Sequence, residues 1–219
     1  MIDDSINYGY ILRYIHDVLP EQDGLIAELE EFAREHDVPI SQPETIKLLE
    51  VLIKLGDRRN ILEVGSAIGY SALRMAAANP PTEIHTIEIN HDAALYAKRT
   101  FERAGLSDRI HLTEGDANVV LPEFAKNGMK FDMIFVDAAK AQYLNFFEPC
   151  MNMLVGGGLL VSDNVLYKGM TATDELVLHR KRTIVKRLRD YIDMLCSHPQ
   201  LDTAVLPVGD GVALSYKSV

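Results

Sequence analysis

From Asn60 onward, short apolar runs alternate with helical stretches, and this alternation constrains the chain more than any other feature. Uninterrupted apolar runs of this length belong to strands covered on both faces, and the helices between them are the crossovers that cover them. The runs predict strands at Ile61 to Val64, Glu83 to Ile87, Arg109 to Thr113, Phe131 to Val136 and Gly158 to Ser162. The periodicity between them predicts helices over Tyr70 to Ala78, over Asn90 to Ala104 with Gly105 as a cap, over Asn118 to Lys126, and over Gln142 to Leu154. Gly156-Gly157-Gly158 would stop the last of these. A basic helix is expected from about Asp174 to Cys196. Beyond it, Leu201 to Val205 and Val212 to Tyr216, joined through Pro207 to Gly211, read as an antiparallel pair at a sheet edge.

The first 57 residues read differently, as helices alone. Ile11, Leu12, Ile15 and Leu19 recur at helical spacing until Pro20, and Leu25, Leu29 and Phe32 do so before Pro39. A third helix starts near Ser41 to Glu44, with Pro43 suited to its first turn, turns Ile46, Leu49, Leu52 and Ile53 to one side, and ends at Gly56. A chain of 219 residues fits one α/β domain, so residues 1–57 are expected to be a helical extension of a core spanning 58–219. No apolar run approaches the ~20 residues of a membrane span, and MIDDSINYGY lacks a signal core, which makes the cytoplasm the expected compartment. Cys150 and Cys196 each lie in an apolar stretch and are expected to be reduced, structural thiols.

The chemistry is concentrated at the predicted carboxyl ends of the strands, where open α/β sheets bind ligands. The first strand runs into Glu63-Val-Gly65-Ser66-Ala-Ile-Gly69-Tyr-Ser71. This is not a dinucleotide fingerprint, because Ala67 and Tyr70 occupy two of the required glycine positions, and it lacks the Gly-Lys-Ser/Thr ending of a phosphate loop. Glu88 ends the second strand, where a carboxylate can hold a ribose diol, and the third delivers Gly115-Asp116-Ala117. Three acidic strand ends beside glycines fit a ligand with a ribose, an amine-bearing base and positive charge; solvated acids at strand ends are the alternative.

The fourth strand ends at Asp137 and the fifth at Asp163-Asn164. Three hard oxygen donors are what Mg²⁺ prefers; the alternative is that Asp163-Asn164 simply begins a turn. The seven His residues show no i, i+4 pair, so zinc is not expected. Lys140, three residues past Asp137, is placed either as a general base beside the metal or as a solvated helix lysine.

Charge separates partner classes. With 22 Lys plus Arg against 32 Asp plus Glu, the net charge of −10 argues against general nucleic-acid affinity. Yet RKRTIVKRLR, from Arg180 to Arg189, holds six Lys or Arg and no acid. Ile184, Leu188, Ile192 and Leu195 should face the core, leaving Arg180, Arg182, Lys186, Arg187 and Arg189 mostly outward. That face is either a solvated surface or, with Lys168, a phosphate-contacting patch beside the site.

Taken together, ILEVGSAIGYSALR, HTIEIN, EGDA, FDMIFVDAAKAQY and LLVSDNVLYKG resemble the cation-dependent O-methyltransferases of the caffeoyl-CoA and catechol type. Within that family the chain is most similar to bacterial tRNA 5-hydroxyuridine methyltransferases, through VPI, GxAIGYS, DAAKxQYxNFF, SDNVLxKG and the basic helix before HPxxxxAxxPVGDG. The resemblance implies a Rossmann-like class I methyltransferase fold: a seven-stranded, mostly parallel sheet with an antiparallel edge strand and N-terminal helices. It implies S-adenosylmethionine as cofactor, with Glu63, Gly65, Ser66 and Ser71 at its methionine end, Glu88 at the ribose, Asp116 and Ala117 at the adenine, and Ser41 and Asp137 at the pocket's edge. Asp137, Asp163 and Asn164 would ligate Mg²⁺ or another divalent cation, and Lys140 would be catalytic. The implied acceptor is the wobble 5-hydroxyuridine of a tRNA anticodon loop, touched by Lys168, Arg180, Arg182, Lys186 and Arg187, or a small catechol-type molecule. The implied assembly is a homodimer.

Overall fold

The computed structural model describes residues 6–219. Three helices come first: α1 (Gly9–Val18), α2 (Gly24–Glu35) and α3 (Pro43–Gly56). Pro43 sits in the first turn of α3, where its missing N–H costs nothing, and Asp57 closes the helix in the left-handed conformation. Strand and helix then alternate through β1 (Asn60–Val64), α4 (Tyr70–Ala78), β2 (Glu83–Glu88), α5 (His91–Arg103), β3 (Ile110–Glu114), α6 (Ala117–Lys126), β4 (Phe131–Val136), α7 (Tyr143–Met153) and β5 (Leu154–Ser162). The chain closes with α8 (Arg182–Ser197), β6 (Leu201–Leu206) and β7 (Val212–Lys217).

The seven strands form one sheet in the order β3-β2-β1-β4-β5-β7-β6. The first five pair in parallel, and β7 runs against both β5 and β6. The expected antiparallel pair therefore forms the sheet edge, with β6 outermost and β7 as the reversed strand inside it. Two apolar cores lie on the two faces. One joins β strands to α6, α7 and α8 through Phe131, Tyr143, Phe146, Leu188 and Tyr191; the other joins them to α3, α4 and α5 through Ile46, Leu49, Ile53, Leu73 and Phe101. Among the described residues, no helix is long and apolar enough to cross a membrane.

Three expectations need correction. The glycine triplet does not separate α7 from β5. It lies inside β5, where Phe131 pairs with Leu154 and Met133 with Leu159, so three extra residues bulge from the ladder. Gly157 takes a positive φ of 79°, and its carbonyl accepts from Arg58 Nη1 at 2.9 Å. The basic helix starts at Arg182 and not near Asp174, because two short 3₁₀ turns, Asp174–Leu176 and His179–Lys181, precede it. Cys150 is buried as expected and its thiol is pushed up to about 12 by burial, but Cys196 is exposed.

Candidate active site

The strand order reverses direction of growth between β1 and β4, and the loops leaving such a switch point diverge to open a crevice. A cavity of about 890 Å³ occupies it. Ser41, Gly65, Ser66, Ser71, Glu88, Asp116, Ala117, Asp137, Lys140, Asp163, Asn164 and Lys168 all line its wall. Residues from six separate chain segments thus meet on one wall.

The backbone is fitted closely here. Gly65 has φ 101°, and a Cβ on it would lie 2.1 Å from the Asp137 carbonyl oxygen, so only glycine lets the end of β1 approach the end of β4. The Gly65 and Ser66 N–H groups both donate to the Ile87 carbonyl at 3.0 and 3.2 Å. Glu88 accepts from the Ala67 and Asn90 N–H groups, each at 2.8 Å, which fixes its carboxylate at the rim. Asp116 caps α6 by accepting from the Asn118 N–H at 2.8 Å.

Glu63 departs from expectation. It is fully buried beneath the cavity wall, and its two oxygens accept from the Ser71 and Thr86 hydroxyls. Burial raises its carboxyl to about 7, against the hydrogen bonds from Ser71 and Thr86, and the charges of Asp137 and Glu88 add to the rise. Glu63 can therefore act on a ligand through its charge and through Ser71, but not by lining the cavity.

Asp137 and Asp163 are brought together by the β4–β5 register, in which Val136 lies beside Ser162. The Asp137 N–H donates to the Val64 carbonyl at 2.9 Å and the Asp163 N–H to the Val136 carbonyl at 3.0 Å. Ser41 Oγ donates to Asp137 Oδ2 at 2.9 Å, and Asp163 Oδ1 accepts from the Asn164 N–H at 2.7 Å. Asp163 Oδ2 is buried without a hydrogen-bond partner. Burial pushes both carboxyls upward; the Asp137 charge drives Asp163 higher still, and the Lys140 ammonium opposes the rise at both. A half-buried acid, a fully buried one and an orphaned oxygen leave this corner short of positive charge, and with the Asn164 amide they are an all-oxygen donor set fit for a hard divalent cation.

The loop after β5 is unusual in conformation. Asn164, Tyr167 and Lys168 all have positive φ, at 55°, 46° and 57°. Non-glycine residues adopt this region at a cost, and such strain collects at functional sites. The Pro207-to-Gly211 turn holds the loop in place: the Val165 N–H donates to the Gly211 carbonyl at 2.9 Å, the Leu166 N–H to the Asp210 carbonyl at 3.1 Å, and the Lys168 N–H to the Asp210 carboxylate. Asp210 lines the cavity as well. Its signal in the sequence was its place between two glycines in a tight turn.

The basic residues divide. Arg180, Arg182, Lys186 and Arg187 are exposed and lie outside the cavity wall. Arg189 is not part of an outward face: it donates to the carbonyls of Thr171 and Met170 and to Asp174, clamping the loop ahead of α8. The buried stripe of α8 is Val185, Leu188, Tyr191 and Leu195, with Ile184 and Ile192 only half-buried at its edges. Arg187 Nη1 donates to the Ala141 carbonyl at 2.7 Å, one residue beyond Lys140. The Lys181 ammonium lies 5.5 Å from the centre of the Tyr167 ring, and Tyr167 lines the cavity.

Residues 17–218 match the family model described as O-methyltransferase. A caffeoyl-CoA O-methyltransferase of Eucalyptus gunnii is 32% identical over 98% of this chain and 88% of its own. Among solved structures, a Staphylococcus aureus protein provisionally named a caffeoyl-CoA O-methyltransferase is 35% identical with a TM-score of 0.88, covering 95% of this chain and all of its own. An O-methyltransferase from Bacillus cereus, solved in complex with SAH, is 25% identical with a TM-score of 0.85 and covers both chains fully.

Proposed function

The chain belongs to the O-methyltransferase family, and on that premise we propose that it transfers the methyl group of S-adenosylmethionine to a hydroxyl oxygen with a second oxygen beside it, using a divalent cation such as Mg²⁺. One observation carries this reading: half-buried Asp137 and fully buried Asp163, the latter with an unpartnered carboxylate oxygen, meet on a cavity wall next to Lys140. The SAH in the Bacillus cereus relative supports the methyl donor.

In this reading Glu88 faces the ribose, and Asp116 and Ala117 face the adenine. Gly65, Ser66 and Ser71 face the methionine end, where the charge of Glu63 favours a sulfonium. Asp137, Asp163 and Asn164 hold the cation. A divalent cation held by these three side chains would supply Lewis-acid chemistry, making a hydroxyl beside it easier to deprotonate. Ser41 keeps Asp137 aimed at the rim, and Lys140 Nζ, once its own proton has left to solvent, takes the hydroxyl proton as the methyl leaves the sulfonium for the oxygen. The whole of residues 1–219 works as one cytoplasmic methyltransferase domain. A homodimer is part of the proposal, supported by the exposed apolar row of Tyr10, Tyr14 and Val18 on α1 and by exposed Val51 and Leu55 on α3.

The names of the relatives support a catechol-type acceptor. A second reading, the wobble 5-hydroxyuridine of tRNA, presents the same adjacent pair of oxygens and is favoured by one feature: Arg187 beside Ala141 and Lys181 over Tyr167 bring a basic surface to the edge of the cavity. That surface suits an acceptor bearing phosphates, whether a coenzyme A thioester or an anticodon loop, whose unstacked bases can be splayed into a pocket.

A panel of free catechol, a catechol coenzyme A thioester and tRNA lacking the modification separates these readings. Reversing charge at Arg182, Lys186 and Arg187 is expected to lower methylation of the phosphate-bearing acceptor at least roughly tenfold and leave free catechol within about twofold. Equal effects on all acceptors would return the basic residues to a solvated surface, and no transfer to any of the three would sink the proposal.

A further inference from the structure

We propose that Glu83, His85 and His111 form a second metal site, specific for late first-row divalent ions such as Zn²⁺, at the opposite end of β2 from the active site. Glu83 and His85 are two residues apart on one strand and so project from the same face. His111 on β3 is the register partner of His85. The ligand atoms of all three side chains lie within 4.8 Å of one another. The imidazole rings are 4.9 Å apart, centre to centre. His85 is held in place by edge contacts with Phe124, 6.3 Å away, and Phe131, 5.6 Å away. Among the described residues, no other side chain hydrogen-bonds to any of the three.

The helical i, i+4 rule for paired histidines cannot detect such a set, because it is assembled across two parallel strands. Two imidazole nitrogens and one carboxylate oxygen match Zn²⁺, Ni²⁺ or Cu²⁺, whereas Mg²⁺ prefers the all-oxygen set of Asp137, Asp163 and Asn164. Tetrahedral Zn²⁺ needs ligand atoms about 3.4 Å apart. Glu83 and His111 are exposed and can rotate inward to meet the fixed His85, leaving a coordination position for water. Since β3 is the outermost strand on its side, an ion here would clip the free sheet edge to β2.

Zn²⁺ binding by the full-length protein, measured in competition with a chromophoric chelator, tests this. In an Asp163→Asn background that weakens the active-site rim, wild-type residues at the second site should retain one equivalent of Zn²⁺, undisturbed by excess Mg²⁺. Adding His111→Ala or Glu83→Gln, both at exposed positions, should weaken that equivalent by about 100-fold or more, since losing a ligand exceeds the roughly 10- to 100-fold cost of losing an outer-shell partner. In the parent protein, substoichiometric Cu²⁺ should broaden the ring-proton resonances of His85 and His111 before those of other histidines. Zn²⁺ binding unchanged by both substitutions, or no bound equivalent at all, would overturn the site.

Discussion

Asp163→Asn should lower metal-dependent turnover by roughly 10²- to 10³-fold, or about 3–4 kcal/mol of transition-state stabilisation, while making the ligand-free protein more stable. The two effects have one origin. The substitution keeps the side chain's size and an oxygen for the Asn164 N–H, and it removes only a charge that is buried, unpartnered at Oδ2 and beside Asp137. A carboxyl whose folded pKa is raised contributes stability at low pH and loses it as pH rises through that value. At neutral pH the ionised form is therefore a liability until a cation is bound. Denaturant unfolding without metal, paired with turnover at saturating Mg²⁺, reads both changes. Turnover within twofold of wild type would remove Asp163 from the metal set.

Glu63→Gln should abolish a pH dependence of stability and weaken the methyl donor's binding. With a folded pKa of about 7 against an ordinary 4.5, Glu63 costs the ligand-free fold about 3 kcal/mol once pH exceeds 7. The loss begins as pH rises above the ordinary value of 4.5 and is complete above 7. The glutamine variant lacks this slope and should be the more stable protein at pH 8 by up to that amount. Its oxygen and amide can still meet the Ser71 and Thr86 hydroxyls, so the wall should hold its shape. Unfolding free energies at pH 5 and pH 8, with and without S-adenosylmethionine, give the comparison. Parallel curves for the two proteins would show that Glu63 carries no buried charge, and equal donor affinity would show that its charge does not reach the ligand.

Strand ends were legible because apolar runs and the acids that terminate them share one local pattern: Glu88, Asp116, Asp137 and Asp163 all lie at or just past the carboxyl end of a strand, on the cavity wall. Depth was not. Glu63 and Ser66 belong to one motif, yet the carboxylate turns inward while Ser66 reaches the cavity wall, because Thr86 and Ser71 offer Glu63 two donors beneath the wall. Glycine punctuation misled at 156–158, where a bulge fixed by Arg58 uses the same residues that would end a helix. The start of α8 was blurred by charge: Arg189, counted on its outward face, is spent on the preceding loop. Asp210 and the Glu83, His85 and His111 set depend on contacts between distant segments, which periodicity along one segment does not encode.

The central claim is metal-dependent transfer of a methyl group to one of two adjacent oxygens. Labelled S-adenosylmethionine incubated with the protein and a plain catechol, before and after EDTA, tests it most directly. The account predicts label in the catechol that disappears with EDTA, returns with Mg²⁺ and is lost in Lys140→Ala. Label that persists in EDTA, or that Lys140→Ala transfers as well as wild type, would contradict it.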